Sequence, residues 1–217
     1  MCGRYTLTKP IKTIESHFKP ARISLKYFPS FNIAPSQISA VVTQKFEVMG
    51  MKWGLVPSWA QNNEIGNKLI NARSETLNEK PSFRDSLENQ RCLVPADGFI
   101  EWKGKKPYYI RFKDHRLFAF AGLWSTWDSG EKPLHSYTII TTEADKTLYS
   151  LHSRMPVILH TENYEKWFFN DSNSLTSLFT APKKQELEYF EISTAINFPK
   201  NNEFNLLQPS GQKSFTF

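Results

Sequence analysis

Residues 107–142, PYYIRFKDHRLFAFAGLWSTWDSGEKPLHSYTIITT, decide the fold class. Three runs, Pro107 to Phe112, Leu117 to Leu123 and Ser136 to Thr142, crowd apolar, aromatic and β-branched residues into strand-length stretches bounded by turn formers. Upstream, Ser39 to Val56 has the same extended character: AVVT is followed by Val48, Met49, Met51 and Trp53 with polar residues between them. Helical stretches are short and scattered. Pro10 to Phe18 places Ile11, Ile14 and Phe18 at helical spacing behind a proline suited to a first helical position, and Ser82–Asn89, Ala144–Leu151, Asn163–Phe169 and Lys183–Tyr189 also read as helices. The chain lacks a 20 to 50 residue repeat and any regular strand–helix alternation, so the expectation is an α+β fold, a mostly antiparallel, barrel-like sheet with peripheral helices. One domain is expected over residues 1–202. The tail, 203–217, in a region rich in Asn, Pro, Ser and Lys, is expected to lie over the surface or to be flexible.

With 217 residues, 40% of them hydrophobic and 14% aromatic, the chain can bury one substantial core. It contains no apolar run of membrane-spanning length and no charged-then-apolar leader, so a cytoplasmic protein without membrane contact, and a monomer, is expected. The 27 Lys and Arg against 21 Asp and Glu leave a formal charge of +6, which suits a polyanionic partner without identifying one. Two cysteines, Cys2 and Cys92, form no Cys-x-x-Cys pair, and His17, His115, His135, His152 and His160 show no ligand spacing. Neither metal nor cofactor is expected. Cys92 reads as a small buried hydrophobe.

Cys2 carries the distinctive chemistry. A small second residue permits removal of Met1, and the residue exposed then bears an α-amine and a thiol together. Their ordinary pKa values, about 8 and about 8.5, leave part of each in its nucleophilic form near neutral pH. Such a pair reacts with an aldehyde in two steps, the amine giving an imine and the thiol closing a five-membered thiazolidine.

MCGRYTL at 1–7, NIAPSQ at 32–37, MKWGLVPSWA at 51–60, NARSET at 71–76, RCLVPADGFIEW at 91–102, TIITTEA at 138–144 and HSRMPVIL at 152–159 occur in that order. Together they resemble the SOS response-associated peptidase family, whose members cap abasic sites in single-stranded DNA. The resemblance runs from Met1 to about Asn202. It implies that Cys2 is the nucleophile, that Asn71 holds its amino terminus, that Glu101 orients or deprotonates the amine, and that His152 acts on the sugar. These roles fit the chemistry: the abasic deoxyribose is mostly a closed ring, so proton transfer at its ring oxygen must expose the aldehyde, and a carboxylate stabilises the cationic iminium that follows. Further implied activities are lyase chemistry through the imine and removal of Met1 as a peptidase. The match departs at Ser153, often an acidic residue or histidine, and at Ile100, where an aromatic is common.

For DNA contact the resemblance points to Arg4 and Arg73 as phosphate ligands, to Thr141 as a hydroxyl contact, and to Trp53, Pro57 or Trp59 as stacking or wedging residues. The partner implied is single-stranded DNA containing abasic sites. Blander readings stand beside each of these. Glu101 could be the outward position of an alternating strand, His152 a cation closing a helix, Asn71 and Arg73 polar surface, and Trp53 core. Two alternatives of another class are a non-covalent single-stranded nucleic-acid binding module and a cysteine peptidase acting on other proteins. The need for a free α-amine on Cys2 separates both from the crosslinking reading.

Overall fold

The alternating and β-branched runs become strands. The structure, a computed structural model, describes residues 2–128, 130–179 and 186–211. In chain order its elements are β1 (Tyr5–Leu7), α1 (Ile11–Phe18), β2 (Arg22–Ile23), β3 (Ser30–Ile33), β4 (Ile38–Thr43), β5 (Glu47–Trp53), β6 (Asn71–Arg73), α2 (Pro81–Asn89), β7 (Arg91–Ala96), β8 (Gly98–Lys103), β9 (Lys106–Phe112), β10 (Phe118–Trp127), β11 (Leu134–Glu143), β12 (Arg154–Pro156), β13 (Ile158–Leu159), α3 (Tyr164–Phe169) and β14 (Leu187–Glu191), with short 3-10 turns between.

Strands β4, β5, β11, β10 and β7 pair in a closed ring. Every seam is antiparallel except β5 against β11, which run parallel with Ser136 opposite Lys52 and Tyr137 opposite Trp53. Closure removes the exposed edges that an open sheet of this size would present. A second antiparallel sheet, β14-β9-β8-β1-β3, is joined to the ring through aromatic packing. The Tyr5 ring of β1 meets Trp53 edge-on at 5.2 Å and Phe120 at 5.8 Å, Trp53 stacks on Tyr137 at 6.3 Å, and Phe99 of β8 meets Phe120 at 6.0 Å. The hydroxyls of Tyr5 and Tyr137 share a buried hydrogen bond of 2.7 Å, which satisfies both polar ends inside the core. The architecture is thus α+β with mostly antiparallel strands.

Two helical expectations differ from the structure. Residues 144–151 form turns, because Glu143 pairs with Arg154 across β11 and β12 and the chain between them must reverse. Isolated i to i−4 bonds form, from Tyr149 N–H to the Asp145 carbonyl and from His152 N–H to that of Leu148, and no helix propagates. In the segment 183–189, residues 183–185 lie outside the described residues, and Leu187 onward is strand β14, paired with β9 so that Glu188 faces Arg111. An available sheet edge overrides a weak helical pattern.

Described through Gly211, the C-terminal region is tied down. Asn32 directs its side-chain amide to the carbonyls of Ile196, Phe198 and Asn201 at 3.2, 3.1 and 2.7 Å, Ile192 bridges to Pro209, and Leu206 and Leu207 are buried with Ile100, Tyr109, Ile192 and Ile196 in a second small cluster. Among the described residues no helix is long and apolar enough to cross a membrane.

Candidate active site

β1 brings the amino-terminal residues to β8. Tyr5 pairs with Phe99 and Thr6 with Gly98, and the N–H of Ile100 donates to the Arg4 carbonyl at 2.9 Å. Continued by one residue, that antiparallel register sets Gly3 opposite Glu101. Gly98 is required there, since a β-carbon would collide with the Tyr109 ring. From the barrel side come β6 and β12, which flank the far end of β11: β6 runs parallel, with Asn71 opposite Ile139, and β12 antiparallel, with Pro156 opposite Thr141.

Cys2 is fully buried. Asn71 Nδ2 donates to its carbonyl oxygen at 2.8 Å, and its own thiol contacts the Arg4 carbonyl at 3.8 Å. Burial pushes the Cys2 thiol well above its ordinary range, and the negative charge of Glu101 adds to the effect. Burial likewise pushes the Glu101 carboxyl up to about 7, against the pull of the positive amino terminus. His152 is lowered, first by burial and then by that same terminal charge, while a hydrogen bond to the Arg154 carbonyl works the other way. Glu101 and His152, read separately from the sequence, therefore both respond to the charge at the chain's beginning. A carboxyl near 7 can give or take a proton at neutral pH.

His152 leaves the turn 144–151 and is fixed by its neighbour: its Nδ1 accepts the Arg154 backbone N–H at 3.0 Å and lies 3.2 Å from the Arg154 carbonyl. It does not close a helix. The Arg154 guanidinium reaches Glu75 through two nitrogens, at 3.1 and 2.9 Å, and its Nε donates to the Thr141 hydroxyl at 3.2 Å. Partial burial works to raise the Glu75 carboxyl, but Arg154's hydrogen bond and charge prevail and hold it below its usual range. Glu75 and Arg154 lie inside the motifs NARSET and HSRMP and had no role assigned from the sequence. The acid and base spacing across two distant motifs carries no local signal of their pairing.

Arg4 is only 9% exposed, and its Nε and Nη1 are buried without a hydrogen-bond partner among the described residues. Burial lowers its pKa. Buried donors left open on a guanidinium suit an anionic oxygen brought by a ligand. Arg73 is exposed on β6, next to the segment that holds Cys2. Trp59 is 58% exposed, on a loop anchored where Gly54 N–H donates to the Tyr137 carbonyl, Val56 N–H to the Ser136 hydroxyl, and Trp127 Nε1 to the Ala60 carbonyl. Gly54 adopts φ +121° and lies against the Gly66 carbonyl, a position no larger residue fits.

Three of the expected DNA contacts are corrected by burial. Trp53 is fully enclosed and its Nε1 donates to the Ile70 carbonyl at 2.8 Å, so it is core. Pro57, in the loop that carries Trp59, is buried. Thr141 has no exposed surface, and its hydroxyl is taken up between the Ala72 carbonyl at 3.4 Å and Arg154 Nε. Strand alternation places a side chain on a face but does not say what covers that face.

Comparison with known proteins identifies a family and a shared fold. A family model described as "SOS response associated peptidase (SRAP)" matches residues 1–199. The Abasic site processing protein YoqW of Bacillus subtilis (strain 168) is 41% identical over 222 residues, covering 96% of this chain and 99% of its own. The Abasic site processing protein HMCES of Xenopus tropicalis is 33% identical over 217 residues, covering 82% of this chain and 65% of its own. Among solved structures, a protein from Bacteroides thetaiotaomicron superposes with a TM-score of 0.85 at 24% identity over 96% of this chain and 100% of its own, a likeness of fold.

Proposed function

Because the chain belongs to the SOS response associated peptidase family, we propose that it captures abasic sites in single-stranded DNA as a covalent thiazolidine through Cys2 once Met1 has been removed. The observation that carries this reading is the setting of Cys2: its carbonyl is gripped by Asn71, and Glu101, its carboxyl raised to about 7, lies close enough for its charge to act on the Cys2 thiol.

The α-amine of Cys2 attacks the C1′ aldehyde of the opened sugar, the carbinolamine loses water, and an iminium forms. Glu101 takes the amine's proton, returns it to the carbinolamine hydroxyl as water leaves, and, ionised again, offsets the iminium charge. The thiol then adds across the C=N bond, its sulfur bonding to C1′ and its proton passing to nitrogen. Ring closure converts a reversible imine into a stable crosslink. His152 serves the proton transfers that open the sugar ring. Arg4 and Arg73 receive phosphates, and exposed Trp59 offers a stacking surface; both tasks favour an unpaired strand.

Two companion activities follow from the same groups. The imine acidifies the neighbouring C–H and permits β-elimination of the 3′ phosphate, a lyase outcome opposed by ring closure. The thiol of Cys2 lies next to the Met1–Cys2 bond whose hydrolysis the peptidase activity requires.

The test is incubation of the Met1-free protein with an abasic oligonucleotide, followed by a denaturing gel and intact mass spectrometry. The expected result is a heat-stable band at the summed mass less one water, stronger on single-stranded than on fully paired DNA, and absent for Cys2→Ala. A full yield of stable adduct from a protein with residues still attached ahead of Cys2 would exclude the mechanism.

A further inference from the structure

The guanidinium of Arg154 is engaged on two sides, by both oxygens of Glu75 and by the hydroxyl and carbonyl of Thr141. Its backbone is what His152 rests on. A backbone N–H can only donate, so in the neutral ring Nδ1 accepts from Arg154 and the ring proton sits on Nε2. In the cationic ring Nδ1–H can donate to the Arg154 carbonyl 3.2 Å away. The backbone of one residue thus serves both protonation states of the imidazole, provided it stays in place as the proton comes and goes. Glu75 stands in the 3-10 turn Ser74–Thr76 that directly follows β6. The short segment bearing Asn71, which holds Cys2, therefore also bears the carboxylate that holds Arg154.

We propose that Glu75 is a positioning residue: by clamping Arg154 it keeps that residue's backbone against Nδ1 of His152 and leaves Nε2 as the nitrogen that exchanges protons with the substrate. The proposal rests on the reading that His152 serves the sugar chemistry. With Glu75 half-exposed, although Arg154 is only 16% exposed, the pair is a weak stabiliser of the fold, so its geometry matters more than its energy. Bidentate engagement fixes the guanidinium plane, which a single hydrogen bond does not.

The experiment compares the Met1-free full chain with Glu75→Ala and Glu75→Gln variants after labelling histidine with nitrogen-15. Long-range proton–nitrogen spectra at pH 8, without DNA, report the tautomer of His152. In the unaltered protein His152 should show Nε2–H with Nδ1 as acceptor; Glu75→Ala should show mixed tautomers, and Glu75→Gln, which retains a neutral hydrogen bond, an intermediate pattern. The single-turnover crosslinking rate should fall roughly tenfold in Glu75→Ala, as is typical when the support of an active histidine is removed. Affinity for an oligonucleotide with an unreactive tetrahydrofuran site should stay within about threefold. An unchanged His152 spectrum in both variants overturns the clamp, as does a loss carried entirely by affinity. If the tautomer shifts as expected but His152→Ala crosslinks at the unaltered rate, the clamp stands and the sugar-chemistry reading falls.

Discussion

The side-chain amide of Asn71 donates to the carbonyl oxygen of Cys2 at 2.8 Å across 69 residues of sequence, while its own Oδ1 is buried and accepts no hydrogen bond among the described residues. A buried acceptor left open costs free energy and is retained where something will occupy it. In the proposed mechanism, the α-amine freed by loss of Met1 would be a donor on the residue that Asn71 already grips. Asn71→Ala should slow crosslinking by roughly tenfold to a hundredfold while the fold persists, and Asn71→Asp should also be slow because a carboxylate cannot donate to the Cys2 carbonyl. Single-turnover rates from denaturing gels, with melting curves as the control for folding, check both.

Glu101 supplies a pH signature. Its carboxyl is raised from the ordinary 4.5 to about 7 by burial, so between those values the folded chain holds a proton that the unfolded chain has lost. Stability from this group is therefore present below about pH 4.5 and declines as pH rises through 7. Glu101→Gln should gain stability relative to the unaltered protein over that interval, read as a urea midpoint that separates between pH 5 and 8. Crosslinking should rise with pH around 7 in the unaltered protein and lose that inflection in Glu101→Gln, with a rate about a hundredfold lower.

Arg4 should separate binding from stability. Its Nε and Nη1 are buried without partners among the described residues, a cost to the free protein that a phosphate would relieve. Arg4→Met, which keeps the apolar stem and removes the donors, should leave thermal stability unchanged or raised. It should also weaken single-stranded DNA binding and reduce the slope of log affinity against log salt by about one. Fluorescence anisotropy at several salt concentrations checks this, and an unaltered slope counts against a phosphate contact.

The tryptophans should respond in opposite ways. Trp53→Ala removes a fully buried ring and should cost about 3–5 kcal/mol of stability. Trp59→Ala should leave the melting temperature nearly unchanged and lower single-stranded DNA affinity by about 1–3 kcal/mol, the range for a stacked base. Equal affinity in Trp59→Ala would remove that residue from the interface.

Much of this was legible in the chain. The runs at 107–112, 117–123 and 136–142 became β9, β10 and β11 because their β-branched and aromatic residues suit a pleated surface packed on a core, and Ile11, Ile14 and Phe18 placed α1 through helical spacing. The same local reasoning failed at 144–151, where pairing of the flanking strands β11 and β12 forces a reversal, and at Leu187–Tyr189, where the deciding partner, β9, is remote in sequence.

The candidate site divides along the same line. Sequence by itself determined that Cys2 can present an amine and a thiol together, since that follows from the residue's position and chemistry, and its ordered motifs marked Asn71, Glu101 and His152. Only the tertiary structure decided that Asn71 grips Cys2, that Trp53 and Thr141 are enclosed while Trp59 is open, and that Glu75 and Arg154 stand behind His152. Alternation along a strand states which residues share a face. What covers that face, and so which polar atom is satisfied and which waits for a ligand, depends on strands that meet only when the barrel closes.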